Sequence, residues 1–382
     1  MNKFSKTLHL FTDKECFKQG VIELLERSKE CSGTIARLTI FGQCPDDEEY
    51  VERVNFLEKS VLNIYGERAP MVSYVTQPLL LGGEFVAEIQ TFDIDMIFKE
   101  LDGLRYLVTE DKGMRRVIMC GVRGDVNDSI RVQSDALFVK VQNVLEKEGM
   151  DASDIFKQWN YIPQITAVDG DDYQHYQAFN DSRTEFYRTA DWSSKGYPAA
   201  TGIGMDCGVV IVDIIAVKAF NDIYRIIPID NDLQQAAHVY SQVVLIGAEG
   251  DKVEGKSTPK FERAKALGNS QEGYICFISG TAAIRGEDSM DSTDAASQTV
   301  QTIENIEHLI SDHTCKIYDI EISSKLREIG MARAYVKFAQ DTEKIKEVVD
   351  NRWPKTSTIY LLADVCREEL LVEIEAVSII PL

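Results

Sequence analysis

The sequence contains no long apolar run and no recognisable export signal. Nowhere do about 18 consecutive apolar residues occur, which is the length that a helix needs to cross a bilayer. The N-terminal segment, MNKFSKTLHLFTDKE, is interrupted by charged residues before the apolar core of a signal peptide could form. These absences predict a cytoplasmic protein that has no membrane as a partner.

Patterns typical of metal sites and disulfide frameworks are absent as well. The eight cysteines are scattered without CxxC spacing, and the five histidines form no triad and no metal-binding spacing. This distribution argues against a zinc site or a disulfide framework and favours reduced, mostly buried thiols. The sequence therefore implies no metal ion and no cofactor.

Basic residues are in the minority. The chain has 41 lysines and arginines against 62 aspartates and glutamates, a net charge of −21. Such a surface argues against nucleic acid as a partner, because phosphate binding needs a basic face. An anionic small molecule would have to be bound by a local group of arginines, so individual arginines in apolar or glycine-rich surroundings become candidate binding residues.

The chain repeats itself at a shift of about 160 residues. The segment VVIVDIIAV (209–217) matches LLVEIEAV (370–377), which places Asp213 opposite Glu373, and a cysteine precedes each segment. In both copies a strand, a helix, a second strand and a second helix are followed by a closing pair of strands. A repeat of this kind indicates tandem units of one fold.

A third, shorter copy is predicted at the N-terminus. It consists of a strand at 35–43, a helix at 46–66 and a strand at 85–92, and it lacks the second helix. The fold class is therefore predicted as α+β, with tandem units that each form a small mixed sheet covered by helices on one face.

We predict three units, with boundaries at 1–105 for a partial copy, 106–222 for the second and 223–382 for the third. Related copies in one chain pack as protomers do in a symmetric oligomer, and the clefts between them are places where ligands bind. Because fused copies can satisfy one another's interfaces, a monomer is favoured over a homo-oligomer.

The last predicted strand carries acidic residues at alternate positions. Val372, Ile374 and Ala376 would face one side of this strand, and Glu373 and Glu375 would face the other. Two interpretations stay open at this point. The glutamates lie either on the wet face of an edge strand, where charges suppress aggregation, or in a pocket.

Several blocks of the chain resemble known families. The final unit, with SGTAAIRGE and a terminal CR followed by VEIEAV, is similar to the reactive-intermediate deaminase (Rid) superfamily, whose members are trimers with ligand sites between subunits. The chain as a whole resembles the chorismatases, a fused branch of that superfamily. The blocks that carry this resemblance are WNYIPQI (159–165), YQAFNDSRTEF (176–186), YPAATGIGM (197–205), PKFERA (259–264) and DVCREELLVEIE (364–375).

The resemblance implies an enzyme that removes the enolpyruvyl side chain of chorismate. Its products would be pyruvate and 3-hydroxybenzoate, or pyruvate and a dihydroxycyclohexadiene acid. The resemblance assigns to Glu373 the protonation of the enol methylene carbon, which requires a carboxyl pKa raised by burial. A cysteine at position 366 goes with 3-hydroxybenzoate formation in this family, so Cys366 is the second predicted catalytic residue, with a small core residue as the alternative.

The same resemblance implies six residues that bind the substrate: Arg183, Arg263, Arg367, Tyr161, Tyr176 and Gly202. The arginines would bind the two carboxylates of chorismate, because a guanidinium can hold a carboxylate through two hydrogen bonds. The alternatives are surface charge for Arg183 and Arg263 and core packing for the two tyrosines. Gly202 would let backbone N–H groups approach the ligand.

Two segments depart from the family pattern. The segment from 221 to 260 is longer than the family needs, and its loops could reshape the mouth of the pocket. The acidic segment at 286–294 would repel a dianion if it faced the site.

Two other functions stay open. A Rid-like deaminase that hydrolyses enamines or imines would need the carboxylate-binding Arg367 and an ordered water, but not Cys366 or Arg183. A non-catalytic metabolite-binding protein would keep the cleft without the chemistry.

Overall fold

Three large sheets follow one another along the chain in the computed structural model. The structure describes residues 5–169, 173–241, 245, 256–290, 292–320 and 328–381. The first sheet has four strands, and the second and third have six each. We call residues 6–92, 96–219 and 225–380 units 1, 2 and 3, after the sheet to which their strands belong.

Unit 1 contains both helices of the repeat. Its elements are β1 (Lys6–Thr12), α1 (Phe17–Ser28), β2 (Thr34–Gly42), α2 (Asp47–Tyr65), β3 (Met71–Val75) and β4 (Phe85–Phe92). The prediction that this copy lacks the second helix is therefore wrong. The sequence hides α1 because its N-cap, Cys16, makes no capping hydrogen bond, whereas the Asp46 side chain at the start of α2 accepts one from the N–H of Glu49. What unit 1 lacks is the pair of strands that opens the other sheets.

Units 2 and 3 share one topology. Unit 2 consists of β5 (Met96–Leu101), β6 (Leu104–Asp111), β7 (Met114–Arg123), α3 (Ile130–Lys147), β8 (Ile155–Pro163), α4 (His175–Tyr187), β9 (Ala199–Met205) and β10 (Ile211–Ala219). Unit 3 consists of β11 (Arg225–Ile229), β12 (Ala264–Asn269), β13 (Gly273–Ala282), β14 (Ile284–Arg285), β15 (Asp288–Ser289), α5 (Ala295–Leu309), α6 (Asp312–Ile317), β16 (Glu328–Val336), α7 (Thr342–Arg352), β17 (Ser357–Leu362) and β18 (Val372–Ile380).

The strand orders show how the units correspond. They are β1-β4-β2-β3, β5-β6-β7-β10-β8-β9 and β11-β12-β13-β18-β16-β17. The last four positions are equivalent in all three sheets, and in each sheet the final pair, such as β8 and β9, is parallel. The predicted α+β class with tandem mixed sheets is confirmed. The closing strands of a unit do not pair as predicted, because β8 lies between β9 and β10, and β16 between β17 and β18.

The chain passes from the first sheet to the second between residues 92 and 96, and from the second sheet to the third between residues 219 and 225. The predicted boundary at 105/106 falls inside β6, which belongs to the second sheet, and the boundary at 222/223 falls between two sheets. The extent of the units as separate domains stays a prediction.

Each sheet buries one face under helices and the other against the neighbouring units. In unit 3, Val372 and Ile374 belong to the core beneath α5 and α7, as the alternation predicted. The inner faces of the three sheets share another core, which contains Phe41, Trp159 and Tyr335 from units 1, 2 and 3. Within the described ranges, every helix falls short of the length or the apolar content that a membrane span requires.

The three units pack in a ring. Strand β3 of unit 1 contacts β7 of unit 2, β9 contacts β13 of unit 3, and β17 contacts β1 of unit 1. The three contacts are equivalent, because β3, β9 and β17 occupy the same place in their sheets. This is the pseudo-oligomeric arrangement that the repeat predicted.

A network of buried charges lies where the inner faces of the sheets meet. Arg333 donates from Nε to Glu88 Oε2 over 2.7 Å and from Nη1 to Glu375 Oε1 over 2.7 Å. Arg37 pairs with Glu88 and with Asp213. These five residues are at most 2% exposed. Because a buried charge without its partner is strongly destabilising, the network ties the three units together.

Strand pairing corrects the alignment of the repeat. Asp213 and Glu375 each lie at a β-bulge, on β10 against β7 and on β18 against β13. Asp213 therefore corresponds to Glu375, and not to Glu373 as predicted. Because apolar residues alternate with period two along these strands, the sequences match almost equally well in either register.

Replacing Arg333 by leucine tests the network. The change removes the cation shared by Glu88 and Glu375 and leaves two buried carboxylates short of a partner. We expect the free energy of unfolding to fall by about 3–5 kcal/mol, measured by urea unfolding with tryptophan fluorescence. The control is Arg352→Leu, since Arg352 pairs with Glu307 at the surface and should contribute less than about 1 kcal/mol. Equal losses in both variants would contradict the role of the network.

Candidate active site

A hollow lies between units 2 and 3, where α4 and β9 face β13 and the start of β18. It measures about 760 Å³ with the open solvent at its mouth included. Most of the predicted site residues line it: Glu373, Cys366, Arg263, Arg367, Tyr176 and Gly202. Arg183 and Tyr161 do not.

Glu373 is a buried acid of the hollow, only 6% exposed. Strand β18 lies between β13 and β16, so the alternative of a wet edge strand is wrong. Burial raises the pKa of Glu373 to about 8; the charge of Glu375 adds to this rise, and Lys157 and Arg263 oppose it. Among the described residues, no hydrogen bond or ion pair holds its carboxyl group. Glu373 therefore carries its proton at neutral pH.

Glu375 lies two residues further along the same face of β18 and, unlike Glu373, has hydrogen-bond donors around its carboxylate. Five donors reach its carboxylate: Lys157 Nζ (3.0 Å), Trp159 Nε1 (3.1 Å), Thr201 Oγ1 (2.5 Å), Arg333 Nη1 (2.7 Å) and Tyr335 OH (2.8 Å). Burial opposes its ionisation, but Lys157, Arg333 and the hydroxyl donors outweigh burial and hold the pKa of Glu375 below its usual value. The sequence left its role open, and the structure places it in the charge network as an ionised carboxylate.

Two arginines of the hollow have no carboxylate partner in the part of the chain that the structure describes. Arg263 donates from Nη2 to the Gln235 carbonyl (2.7 Å) and the Tyr240 hydroxyl (2.6 Å), and its Nε has no partner. Arg367 donates from Nη1 to the Glu287 carbonyl (2.9 Å) and to Ser289 Oγ (3.1 Å). Unpaired guanidinium groups suit a ligand with carboxylates.

Arg183 does not line the hollow itself, but it contacts a residue that does. It is buried in α4, its Nη2 donates to Asn180 Oδ1 over 2.6 Å, and Asn180 itself lines the hollow. Its Nε has no partner, and no salt bridge to it occurs among the described residues. The alternative of a surface charge is wrong, because Arg183 is 1% exposed.

Cys366 and Tyr176 are neutral groups at the wall. Burial raises the pKa of the Cys366 thiol to about 12, and Glu373 adds to the rise while Arg367 opposes it. Burial also raises the pKa of Tyr176, with Cys366 and Glu373 adding to it. A thiol in this state is a small neutral group and not a thiolate nucleophile.

Two glycines leave space for the Glu373 carboxyl group and for the Tyr176 ring. A Cβ at Gly280 would lie 1.9 Å from Glu373 Oε1, and a Cβ at Gly202 would lie 3.0 Å from the Tyr176 ring. The first distance excludes any side chain at position 280 while the Glu373 carboxyl group stays in place. The second shows why Tyr176 can pack over β9.

Tyr161 is placed elsewhere than predicted. It is fully buried in the charge network, where its hydroxyl accepts a hydrogen bond from Arg333 Nη1 over 2.8 Å. The alternative of a core aromatic with one polar tip describes this position. Sequence could not separate the two, because Tyr161 on β8 and Tyr176 on α4 both lie in blocks that carry the same family resemblance.

One residue that lines the hollow differs in type from its counterparts in the repeat. Gly202 on β9, Tyr74 on β3 and Tyr360 on β17 occupy the same position in the parallel strand pairs of their sheets. Tyr74 is buried and stacks on Tyr50 with ring centroids 5.9 Å apart. At Gly202, which has no side chain, the Tyr176 ring packs over the strand instead.

The acid also occurs at this interface alone among the three equivalent positions. Glu373 pairs with Tyr335, and the corresponding pairs in units 2 and 1 place Ile211 and Val86 at its position. Equivalent strands therefore carry an acid in unit 3 and apolar residues in the other two units.

The long segment from 221 to 260 reaches the hollow. Tyr240, Leu245 and Pro259 line it, although residues 242–244 and 246–255 lie outside the described residues. Residue 291 of the acidic segment at 286–294 also lies outside the described residues. This segment contacts Arg367 through the backbone oxygen of Glu287 and the hydroxyl oxygen of Ser289. Sequence reasoning missed Asn180, Tyr240 and Lys157. Asn180 lies within the block YQAFNDSRTEF, which was a signal that could have identified it, whereas Tyr240 and Lys157 lie outside the blocks that carry the resemblance.

Comparisons with known proteins agree with this geometry. Residues 107–216 match the family model described as "Chorismatase FkbO/Hyg5-like, N-terminal". The chain is 27% identical over 295 residues to a 3-hydroxybenzoate synthase of Streptomyces hygroscopicus, covering 76% of this chain and 81% of that protein. It is also 27% identical over 220 residues to a chorismatase of the same species, covering 57% and 60%. A solved chorismatase structure matches 99% of both chains with a TM-score of 0.73 and 20% identity, which shows the fold.

The raised pKa of Glu373 predicts how its stability effect depends on pH. An unfolded chain releases this proton near pH 4.5, whereas the folded chain keeps it to about pH 8. The folded state binds more protons in this window, so the contribution of Glu373 to stability falls as pH rises through it. Relative to the wild type, Glu373→Gln should therefore gain a few kcal/mol of unfolding free energy between pH 5 and pH 8.

Urea unfolding at pH 5, 6, 7 and 8 measures this gain. The control is Glu368→Gln, an exposed position nearby, whose difference from the wild type should stay constant over the same range. A constant difference for Glu373→Gln as well would mean that Glu373 is ionised in the folded protein.

Proposed function

We propose that this chain, which belongs to the chorismatase family, cleaves the enolpyruvyl ether of chorismate and releases pyruvate. The observation that carries the proposal is a buried acid, Glu373, in one hollow with Arg263 and Arg367, which have no carboxylate partner in the described chain; burial raises the pKa of this acid to about 8. Chorismate has two carboxylates and one enol ether, so these groups match its charges and its reactive carbon. The similarity to a 3-hydroxybenzoate synthase and to chorismatases supports the same substrate.

Glu373 would act as the general acid. It transfers its proton to the methylene carbon of the enol ether, and the positive charge that results is shared by the adjacent carbon and the ether oxygen. The carboxylate left on Glu373 then stabilises this oxocarbenium ion at short range in a buried site. Protonation of carbon is slow, so an acid that is still protonated near pH 8 and held beside its target is an advantage.

The arginines would hold the substrate for this step. Arg263 and Arg367 line the hollow and can each bind a carboxylate, and Arg183 is close enough to act through Asn180. Because Arg263 already donates to neutral oxygens only, a carboxylate gains a stronger, charge-assisted hydrogen bond there. The substrate is then fixed with its side chain toward Glu373.

Two outcomes follow from the oxocarbenium ion. Water can add to the cationic carbon, and the adduct collapses to pyruvate and a dihydroxycyclohexadiene acid. Alternatively, the neighbouring ring hydroxyl displaces the ether oxygen and gives its proton to the Glu373 carboxylate, so that pyruvate leaves and an arene oxide forms, which opens to 3-hydroxybenzoate. Cys366 supports the second outcome, because it lines the hollow and a cysteine at this position goes with 3-hydroxybenzoate formation in the family that the chain resembles.

The arrangement of the three units in a ring supports a monomer as the working form. Units 1, 2 and 3 close the ring within one chain, and each of the three contacts is made inside it. The hollow takes its residues from units 2 and 3 of the same polypeptide, so the proposed reaction needs no second copy.

Glu373→Gln tests the acid. The amide keeps the shape of the side chain and cannot supply the proton, so we expect pyruvate release to fall by about a thousandfold. Pyruvate is followed with lactate dehydrogenase and NADH, and chorismate binding is measured by calorimetry, where the affinity should be retained. Glu368→Gln is the matched control and should turn over as the wild type does. Wild-type pyruvate release by Glu373→Gln would refute Glu373 as the acid.

Cys366→Ala tests the product. Removing the thiol opens space for water, so the share of the dihydroxycyclohexadiene acid should rise at the expense of 3-hydroxybenzoate, as measured by liquid chromatography. Cys207→Ala is the control, because Cys207 precedes the equivalent strand of unit 2 and does not line the hollow. An unchanged product ratio in Cys366→Ala would remove the thiol from the choice between the two routes.

A further inference from the structure

The acid of the proposed site has a second carboxylate next to it. Glu373 and Glu375 lie on the same face of β18, and residues two apart on a strand are separated by about 6–7 Å. Both are at most 6% exposed. Like charges at this separation in a buried site disfavour one another, so only one of the two ionises readily.

The structure decides which of them ionises. Glu375 receives donors from β8, β9 and β16, and two of these donors, Lys157 and Arg333, are cations. Glu373 has no donor among the described residues. The negative charge therefore resides on Glu375, and the proton resides on Glu373.

A chain of contacts also joins the two carboxyl groups mechanically. Thr201 Oγ1 donates to Glu375 and lies 3.1 Å from the backbone nitrogen of Gly280, which donates to it. Gly280 is the residue against which the Glu373 carboxyl group rests. Lys157 Nζ contacts both Glu375 (3.0 Å) and Thr201 (3.2 Å), so it holds this arrangement from the opposite side.

Charged and titratable groups reach Glu373 from each element packed around it. Apart from burial, Glu375 on its own strand favours the protonated form, and Lys157 on β8 and Arg263 before β12 favour the ionised form. Cys366 and Tyr176, from the segment before β18 and from α4, are neutral neighbours.

We propose that Glu375 is a positioning residue that acts through Glu373: its charge, fixed in place by Lys157, keeps the proton on Glu373 until the substrate carbon accepts it. This inference rests on the proposed function for its catalytic meaning. Its physical core, the control of one carboxyl group by the other, does not depend on any substrate. Glu375 and Lys157 do not line the hollow, so they have no direct part in binding.

Two single variants should move the titration of Glu373 in opposite directions. Glu375→Gln removes the repelling charge and leaves the cations, so Glu373 should lose its proton at a pH lower by about one to three units than in the wild type. Lys157→Met removes a cation, so Glu373 should lose its proton at a higher pH. The double variant Glu375→Gln/Lys157→Met should titrate between the two single variants.

The titration is measured without any substrate. Infrared difference spectra of the wild type and each variant between pH 4 and pH 10 contain the carbonyl band of the protonated Glu373 carboxyl group, which is identified by its absence in Glu373→Gln. Shifts of opposite sign in the two single variants support the proposal. No shift, or shifts of the same sign, would overturn it, because loss of packing alone does not move the titration in two directions.

A folding failure of Glu375→Gln does not remove the test. The double variant has no unpaired lysine at this position, and comparison of it with Lys157→Met isolates the effect of the Glu375 charge. If Glu375 acts as proposed, the double variant titrates at lower pH than Lys157→Met; coincident titrations would refute it.

The pH profile of pyruvate release adds the catalytic readout. In Glu375→Gln the alkaline limb of kcat/KM should move to lower pH, with activity about tenfold lower at pH 8 and recovered near pH 6. A uniform loss at every pH would indicate a purely structural role and contradict the proposal. If the wild type releases no pyruvate from chorismate, the proposed function fails, and the infrared titration still decides whether Glu375 controls Glu373.

Discussion

The arrangement of the whole chain depends on buried ions that meet at the centre of the ring. Glu88, Asp213 and Glu375 come from the central strands of the three sheets, and Arg37 and Arg333 bridge between them. Each charge would be costly alone in this environment. Arg37 of unit 1 also pairs with Asp213 of unit 2, and Arg333 of unit 3 also pairs with Glu88 of unit 1, so the full set of pairs forms only when all three sheets are in place. Packing of apolar faces can bring the units together, but this ionic pairing selects one relative placement.

The candidate site is a consequence of that centre. Lys157 and Arg333 both bind the carboxylate of Glu375. The next carboxyl group on the same strand face, that of Glu373, is buried and lies beside the negative charge of Glu375, and both effects raise its pKa. A protonated acid therefore arises at the edge of a fully paired network. Position 202, which lines the hollow beside it, is glycine where the other units have tyrosine. The candidate site thus forms at one of three similar interfaces, which differ from one another in a few side chains.

Much of this could be predicted from residue patterns, and the failures have physical reasons. Alternation along the last strand identified Glu373 and Glu375 as sharing a face, and family resemblance brought Cys366 and Arg367 to the same site. The same patterns placed Asp213 opposite Glu373, because a shift of two residues leaves the alternation of apolar residues unchanged. They also placed Tyr161 at the substrate, since a sequence block does not show on which side of a sheet its aromatic side chain lies.

The amino-acid sequence by itself determined the repeated α+β units, the face of each strand that is apolar, and the residue types available for acid catalysis and carboxylate binding. These are local properties, since they depend on periodicity and on chemistry that each residue carries with it. Only the tertiary structure decided that Glu375 is ionised and Glu373 protonated. The two glutamates are identical in type and lie two positions apart, and their difference comes from Lys157, Thr201 and Arg333, which lie up to 218 residues away along the chain. Desolvation and charge pairing are properties of position in space, so the folded chain alone could assign them.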